Sequence, residues 1–417
     1  MLLGTRPVFK RREYLRPSYT PENLPHRDEQ IHQLARILVA PLRGETPSNI
    51  LLYGKPGTGK TATVNHVVKE LEKVESRAPM KIRVIYVNCE VVNTQYRILA
   101  TLSDVLLESL KNSRGEEFLE SIDLPSKVPR TGWPTDEVYK SLLRVLDQEP
   151  QLAVIILDEV DKLVQKSGDE ILYHLTRMNS SLKSSKVSII GISNDTNFLE
   201  YLDSRVRSSL GEEEIIFPPY NGSQLQDILR ERAEMSFADG VVESGVIQLC
   251  AANAAREHGD ARRALDLLRV AGEMSETDGS EKITIGHVRK AYERIEQDKT
   301  VEVIKTLPAQ SKLVLYSVVL LAERTPKAIV SGEVYGVYQD LCRKHRLDIL
   351  TPRRVGDLIS ELDMLGIITA KIVNRGRYGR TKEVALNVHP IQVQAAVQED
   401  FSLRGEVLQL SAFPARS

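Results

Sequence analysis

Residues 54–61 form the phosphate-binding loop pattern G-x-x-x-x-G-K-[ST], which is the most specific chemical signal in this chain. The loop reads Gly54, Lys55, Pro56, Gly57, Thr58, Gly59, Lys60, Thr61. Its glycines let backbone N–H groups face phosphate oxygens, and the N-terminus of a following helix adds a partial positive charge. Lys60 would contact the β- and γ-phosphates of a bound nucleotide, and Thr61 would hold Mg²⁺.

The segments around this loop have the periodicity that the motif requires. Apolar residues precede it, and Val64, Val67, Val68 and Leu71 follow it at helical spacing. Strands are predicted at 49–53, 82–88, 152–157 and 187–192. Helices are predicted at 60–73, 94–111, 136–147 and 169–178. Such alternation predicts a parallel sheet covered by helices on both faces, with the ligand beyond the carboxyl ends of the strands.

Polar side chains follow two of these strands directly. The apolar segment 152–157 ends in Asp158-Glu159. Asp158 would bind Mg²⁺ directly or through water, and Glu159 would orient and activate the attacking water. Asn194 follows the next strand and could hydrogen-bond the γ-phosphate or that water. An asparagine is also common in ordinary turns, so its position alone leaves both interpretations open.

Six segments in this order resemble a known family. Those at 54–61, 157–159, 193–195 and 202–206 look like the phosphate loop, acidic box, sensor 1 and arginine-finger box of AAA+ ATPases. Residues 19–29 resemble the adenine-side entry segment, and 259–266 resemble the sensor 2 motif of the lid. With the C-terminal region, they resemble the archaeal replication initiators of the origin recognition complex and cell division control protein family. This implies an α/β AAA+ P-loop ATPase fold, an α-helical lid and a C-terminal winged helix-turn-helix domain.

The resemblance also implies roles for individual residues. Asn194 would be sensor 1, Arg262 would reach from the lid to the γ-phosphate as sensor 2, and Arg205 would act on the ATP of a neighbouring chain. The pocket for adenine and ribose would be lined by Leu24, Pro25, His26 and Arg27. Read without the family, Arg262 is a surface residue of an amphipathic helix capped by Asp260. Some family members carry a second arginine where this chain has Ser209, and its absence would weaken activation in trans. Because an arginine finger can raise turnover by orders of magnitude, a monomer is expected to hydrolyse ATP slowly.

Size and composition set the frame for these assignments. A chain of 417 residues with 41% hydrophobic and 27% charged residues is typical of a globular protein of two or three domains. No apolar run in it approaches the length of a membrane span, and its first residues lack the apolar region expected of a signal peptide. Its three isolated cysteines indicate a reducing compartment. The expected location is cytoplasmic and nucleoid-associated. The predicted domains are a nucleotide-binding base at 1–222, a lid at 223–297 and a DNA-binding domain at 298–417.

Two regions outside the nucleotide module are candidates for DNA contact. The stretch 94–147 is longer than a simple crossover needs and contains a Pro- and Gly-rich loop at 127–134. In the resembling initiators a helical insertion here touches DNA, which suggests phosphate contacts by Lys127, Arg130 and Thr131. A surface loop without a ligand is the alternative. After it, a capping box of Ser223 and Gln226 would begin the lid, and 298–300 would connect the lid to the next domain.

The C-terminal segment predicts a winged helix-turn-helix. It contains predicted helices at 308–323 and 331–346, a third helix opened by Thr351-Pro352, and a hairpin of strands 367–373 and 383–388. Residues 343–382 hold ten basic and four acidic residues, which favours an acidic partner such as DNA. The proposed contacts are Arg353, Arg354, Arg375, Gly376, Arg377, Tyr378 and Arg380. A winged fold used for protein contacts is the alternative.

Together these features predict an ATP-dependent replication initiator. It would bind double-stranded origin DNA and help recruit or load the replicative helicase, alone or with paralogous initiator subunits. ATP/ADP and Mg²⁺ would be its cofactors, and slow hydrolysis would reset a switch. A clamp-loader-like ATPase and an ATP-dependent transcription regulator are the alternatives, and the basic winged domain disfavours the first of them.

Overall fold

The chain folds into two compact units, Met1–Val288 and Arg289–Ser417. The computed structural model describes residues 7–17, 19–43, 45, 47–73, 80–129, 131–324, 328–374 and 380–402. No helix among these residues is long and apolar enough to cross a membrane. The predicted domain boundaries after residues 222 and 297 stay predictions.

The first unit contains a five-stranded parallel sheet with strand order β2-β3-β4-β1-β5 in the described residues. The strands are β1 Ile50–Tyr53, β2 Lys81–Asn88, β3 Gln151–Asp158, β4 Lys186–Ser193 and β5 Glu213–Ile216. Every residue of β3 is buried, as expected for a central parallel strand covered on both faces. The predicted parallel sheet is therefore confirmed. The short edge strand β5, Glu-Glu-Ile-Ile, was not predicted because four residues give too little periodicity.

Helices cover both faces of this sheet. They are α1 Asp28–Val39, α2 Lys60–Lys73, α3 Gln95–Arg114, α4 Glu116–Ser121, α5 Thr135–Leu146, α6 Val160–Ser167, α7 Glu170–Thr176 and α8 Ser204–Leu210. One hydrophobic cluster packs α3, α5 and α7 against the sheet, and a second packs α1 and α2 against it. The predicted helix at 169–178 corresponds to α7, and α6 before it was missed. Gly168 separates them at φ 74°, a conformation that glycine adopts without steric cost.

The rest of the first unit is helical, as predicted for a lid. It contains α9 Gly222–Ser236, α10 Val246–Arg256, α11 Ala261–Thr277 and the start of α12, Ile285–Thr306. The predicted capping box is wrong: Asn221 caps α9 and exchanges hydrogen bonds with Gln224, while Ser223 lies inside the first turn. Residues 298–300, predicted as a connection, lie within α12.

The second unit has the predicted winged-helix pattern. Its elements are α13 Ala309–Arg324, β6 Ile329–Val330, α14 Ser331–His345, α15 Pro352–Met364, β7 Ile368–Asn374, β8 Arg380–Leu386 and α16 Pro390–Ser402. Thr351 caps α15 by accepting the N–H of Arg354, and Pro352 occupies the first turn, as the sequence predicted. Strands β7 and β8 form the antiparallel hairpin, with β6 added on the β8 side. Residues 375–379, which come between β7 and β8 in the sequence, lie outside the described residues.

Candidate nucleotide site and DNA-binding elements

The phosphate loop joins β1 to α2 and is held between the sheet and the lid. Gly54, Gly57 and Gly59 all have positive φ values, 155°, 69° and 91°. A Cβ atom on Gly57 would lie 1.7 Å from Asp260 Oδ1, and one on Gly54 would lie 2.4 Å from the Phe217 carbonyl oxygen. Glycine is therefore required at Gly57 by the backbone conformation and by the close approach of Asp260 from the lid, and at Gly54 by the Phe217 carbonyl.

The Lys60 ammonium lies inside this loop. Its Nζ donates to the carbonyl oxygens of Gly54 at 2.7 Å and Lys55 at 2.9 Å. Burial, and then the positive charge of Arg262, lower the pKa of Lys60 to about 8. A cation with a lowered pKa and few water contacts is well suited to meet the phosphates of a nucleotide.

Lys60 gives the site a testable pH dependence. In the protein without nucleotide, Lys60 loses its proton as the pH rises above about 8, so ATP binding there must take up a proton. Below pH 8 the Lys60 side chain is already charged, and no proton is taken up. The affinity for ATP is therefore expected to fall as the pH rises from 8 to 10, by up to about tenfold per pH unit. Calorimetry in buffers of different ionisation enthalpy measures this uptake. The Lys60→Met variant should bind ATP weakly and take up no proton on binding. A wild-type ATP affinity that does not change between pH 8 and pH 10 would contradict the role assigned to Lys60.

The acidic pair follows β3 and lies next to the loop. Thr61 Oγ1 donates to Asp158 Oδ2 at 2.9 Å, and the Glu159 backbone N–H donates to Asp158 Oδ1 at 2.9 Å. Glu159 has φ 56° and precedes α6, an unusual left-handed conformation for a non-glycine residue. Burial, and then the charges of Glu90 and Asp158, raise the pKa of Glu159. A raised pKa makes this carboxylate a better proton acceptor.

Asp161 connects the acidic pair to the tip of β4, a link that sequence reasoning missed. Its Oδ1 accepts the Ser193 hydroxyl at 3.1 Å and the Asn194 backbone N–H at 3.3 Å. The carboxylate is buried, so these bonds replace its contacts with water. Asp161 thereby fixes the backbone that carries the predicted sensor residue Asn194. Its position three residues after Asp158 was the available signal.

A cavity of about 280 Å³ lies between the phosphate loop, the N-terminal segment and the lid. Its walls include Tyr19, Leu24, Pro25, Gly57, Gly59, Thr61, Asn65, Tyr220, Ile228, Arg232, Arg262 and Leu265. Leu24 and Pro25 thus lie where the sequence predicted a base pocket. Arg262, predicted to sense the γ-phosphate, borders the same cavity as Thr61. The contact of these residues with a nucleotide stays a prediction.

Two other predicted pocket residues are engaged in contacts of their own. Arg27 is only 2% exposed, and its guanidinium donates to the Thr58 carbonyl at 2.9 Å and the Pro218 carbonyl at 2.7 Å. It also lies 3.8 Å from the centre of the Tyr220 ring. His26 Nε2 lies 3.0 Å from a carboxylate oxygen of Asp227. Arg27 therefore joins the phosphate loop to the segment after β5. Its predicted contact with the nucleotide stays a prediction.

The N-terminus of α11 lies directly against the phosphate loop. Asp260 accepts the N–H groups of Arg262 and Arg263 and so caps the helix, as predicted. The N–H of Ala261 donates to the Gly57 carbonyl at 3.1 Å. A cap of this kind stabilises a helix by about 1 kcal/mol. The helix cap also fixes the start of α11, where Arg262 directly follows Ala261, the residue that hydrogen-bonds Gly57 of the loop.

Arg205, the predicted arginine finger, lies on α8 with its side chain exposed. Its Nε donates to Asp203 Oδ1 at 3.0 Å, and its guanidinium carbon is 5.2 Å from the Tyr173 ring centre. An exposed pair of this kind contributes little to stability, and the arginine can leave it for another partner. Whether it contacts a neighbouring nucleotide stays a prediction.

The predicted DNA contacts lie on both units. In the first unit Lys127 and Thr131 are exposed, and the loop is anchored by the Val128 N–H to Asp104 Oδ1 at 2.8 Å. In the second unit Arg353 and Arg354 are exposed at the start of α15. The predicted contacts Arg130, Arg375, Gly376, Arg377 and Tyr378 lie outside the described residues, as does the side chain of Arg380.

One basic residue of the hairpin is used inside the winged unit. Lys382 Nζ, on β8, donates to the Gly356 carbonyl at 2.9 Å and to Ser360 Oγ, both on α15. Next to it, the hydroxyl groups of Thr381 and Ser331 are 3.2 Å apart, which joins β8 to the start of α14. Strand β8 is thus attached to both helices of the helix-turn-helix, and the Lys382 ammonium donates to two neutral acceptors within the protein.

Three family models match successive parts of the chain. The AAA ATPase domain matches residues 23–190, the Cdc6 AAA+ ATPase-type lid domain matches 226–293, and the CDC6 C-terminal winged helix domain matches 302–396. These descriptions agree with the sheet, lid and winged unit described above.

Curated relatives and a solved structure agree with these models. The ORC1-type DNA replication protein of Pyrococcus horikoshii is 57% identical over 403 residues, which cover 97% of this chain and 93% of the relative. The ORC1-type DNA replication protein 1 of Methanosarcina acetivorans is 53% identical, with the same two coverages. A structure of Aeropyrum pernix ORC1 in complex with DNA is 43% identical, with a TM-score of 0.75 over 96% of this chain and all of that one.

Proposed function

Since this chain belongs to the family of ORC1-type DNA replication proteins, AAA+ ATPases with a Cdc6-type lid and winged helix, we propose that it binds double-stranded origin DNA and helps recruit or load the replicative helicase. ATP binding and slow hydrolysis would act as a switch. The observation that carries the ATP switch is the cavity whose walls include both the phosphate loop and Arg262 of the lid. The part concerning DNA and the helicase rests on the family and on the DNA complex of the Aeropyrum protein.

The nucleotide would occupy this cavity with its phosphates on the loop and its base toward Leu24 and Pro25. Thr61 Oγ1 and Asp158 Oδ2 fit Mg²⁺, because they are two hard oxygen donors 2.9 Å apart at the carboxyl end of a strand. Mg²⁺ held there would neutralise negative charge on the β- and γ-phosphates. Glu159 would then accept a proton from water, and Asn194 would orient that water.

The lid would give such a switch its physical basis. Asp260 and Ala261 contact Gly57, so the position of α11 depends on the conformation of the phosphate loop. An interaction of Arg262 with the γ-phosphate would exist with ATP and be absent with ADP. A ligand shifts a conformational equilibrium by its difference in affinity for the two states. Arg205 would contact the ATP bound to a neighbouring chain and so assist its hydrolysis. Because this chain has Ser209 where some family members have a second arginine, Arg205 would act there alone.

DNA would be bound by the insertion loop and the winged unit. Support comes from the DNA complex of the Aeropyrum protein, which is 43% identical and similar over the whole fold. The proposed contacts are Lys127, Arg130, Thr131, Arg353, Arg354, Arg375, Gly376, Arg377, Tyr378 and Arg380. Short arginine-rich elements of this kind suit phosphates and minor grooves, with DNA shape supplying much of the specificity. The protein would accordingly associate with the nucleoid.

Footprinting on genomic DNA tests this function directly. With ATP and Mg²⁺, the protein is expected to protect repeats at a replication origin. In the same assay, Arg353→Ala/Arg354→Ala protein should need a higher concentration for the same protection, because two of the proposed contacts are removed from the start of α15. Protection confined to promoters would support the alternative of a transcription regulator and would contradict origin binding.

A further inference from the structure

A tyrosine on the strand next to β3 shares the Asp158 carboxylate with the phosphate loop. Tyr86 Oη donates to Asp158 Oδ2 at 2.7 Å, and Thr61 Oγ1 donates to the same oxygen at 2.9 Å. The other oxygen, Oδ1, accepts the Glu159 N–H at 2.9 Å. Donors from β2, from the start of α2 and from the turn after β3 therefore fix the orientation of this carboxylate.

The register of the sheet makes this contact specific. Tyr86 pairs with Ile156 across β2 and β3, and Asn88 pairs with Asp158. The Tyr86 side chain therefore reaches two residues along the strands to contact Asp158. The Tyr86 residue is 46% exposed, whereas Asp158 is only 7% exposed. The ring thus contributes little to the core, while its hydroxyl satisfies a nearly buried carboxylate.

We propose that Tyr86 is a positioning residue for the Mg²⁺ site, whose hydroxyl holds Asp158 in the orientation that lets it act together with Thr61. The proposal rests on the proposed function, because this Mg²⁺ belongs to the nucleotide site. Among the described residues, Thr61 and Tyr86 donate side-chain hydrogen bonds to Oδ2. Because the Thr61 oxygen is itself a candidate ligand, the orienting role falls to Tyr86. Groups that orient metal ligands typically change metal affinity by 10- to 100-fold when they are removed.

Tyr86→Phe tests this role, because it removes one oxygen and keeps the ring. The measurement is the binding of a fluorescent ATP analogue to the full-length protein, first with EDTA and then during a Mg²⁺ titration. The metal-free affinity is expected to equal that of the wild type. The Mg²⁺ concentration that gives half of the metal-dependent gain is expected to rise about tenfold, and saturating Mg²⁺ should restore the full gain.

Tyr53→Phe is the matched control. Tyr53 Oη donates to Glu214 Oε2 at 2.8 Å on the neighbouring strands β1 and β5, so the same oxygen is removed from another tyrosine–carboxylate pair. This variant should keep the wild-type Mg²⁺ requirement.

A Tyr86→Phe protein with the wild-type Mg²⁺ requirement would overturn the Tyr86 role alone. A wild-type protein that binds no ATP, or gains nothing from Mg²⁺, would overturn the proposed site together with it. A Tyr86→Phe protein that is weaker only without metal would assign Tyr86 a structural role instead.

Discussion

Glu159→Gln is expected to bind ATP as tightly as the wild type and to hydrolyse it at least about a hundredfold more slowly, because a positioned general base contributes about 10²- to 10⁴-fold. The substitution preserves the size of the side chain but removes its ability to accept a proton. Its backbone N–H bond to Asp158 is unaffected, so the neighbouring carboxylate should keep its place. The raised pKa of Glu159 fits this role. Single-turnover hydrolysis and equilibrium binding, measured side by side, separate the two effects.

Glu72→Gln provides the matched control, since Glu72 is exposed on α2 and the chemical change is the same. Its hydrolysis rate and affinity should both equal those of the wild type. Wild-type hydrolysis by Glu159→Gln would show that another residue activates the water. A large loss of ATP affinity would show instead that Glu159 contributes to binding the ground state.

The parts of the fold that depend on local periodicity could be predicted from the sequence. The β3 strand is a continuous apolar run because both of its faces are buried, and the phosphate loop is recognisable because glycine is required at φ values that other residues avoid. Thr351 and Asp260 were recognisable as helix caps because a cap depends only on residues two or three positions away. The error at Asn221 arose because two polar residues competed for one cap.

The parts that depend on distant contacts could not be predicted. Arg27 contacts the carbonyl groups of Thr58 and Pro218, which are 31 and 191 residues away. Tyr86 and Asp158 are 72 residues apart, and their contact depends on the register of β2 and β3. A sequence pattern contains neither the strand order nor the register, so it identifies residue types without their partners.

The same limitation affects the basic tract at 343–382. Its ten basic residues suggest a continuous DNA-binding surface, but composition cannot tell a phosphate contact from an internal brace. Lys382 donates to Gly356 and Ser360 within the winged unit, and Arg354 lies 3.6 Å from the Glu361 carboxylate and 4.0 Å from that of Asp357. The count of basic residues therefore overstates how many of these side chains are available for phosphate contacts.

Replacing Arg353, Arg354, Arg375, Arg377 and Arg380 together by alanine is expected to have the largest effect on DNA binding. Removing one arginine–phosphate interaction should reduce the slope of log K against log salt by about 0.9, so removing all five should reduce it by up to about 4.5. The reduction should be smaller where an arginine reads a groove instead of a phosphate. Fluorescence anisotropy with labelled origin DNA at several salt concentrations measures the slope, and unchanged ATP binding confirms that the nucleotide site is intact.

Lys382→Met is the matched control for this experiment, because it also removes a positive charge from the winged unit. Its ammonium braces the wing against α15, so its removal should weaken DNA binding while leaving the salt slope unchanged. Lys127→Ala, in the other unit, should reduce the slope by about a further 0.9, because each lost phosphate contact contributes its own share to the slope. A five-arginine variant with the wild-type slope would exclude the winged unit from phosphate binding. A slope lowered by Lys382→Met would instead place that lysine on the DNA.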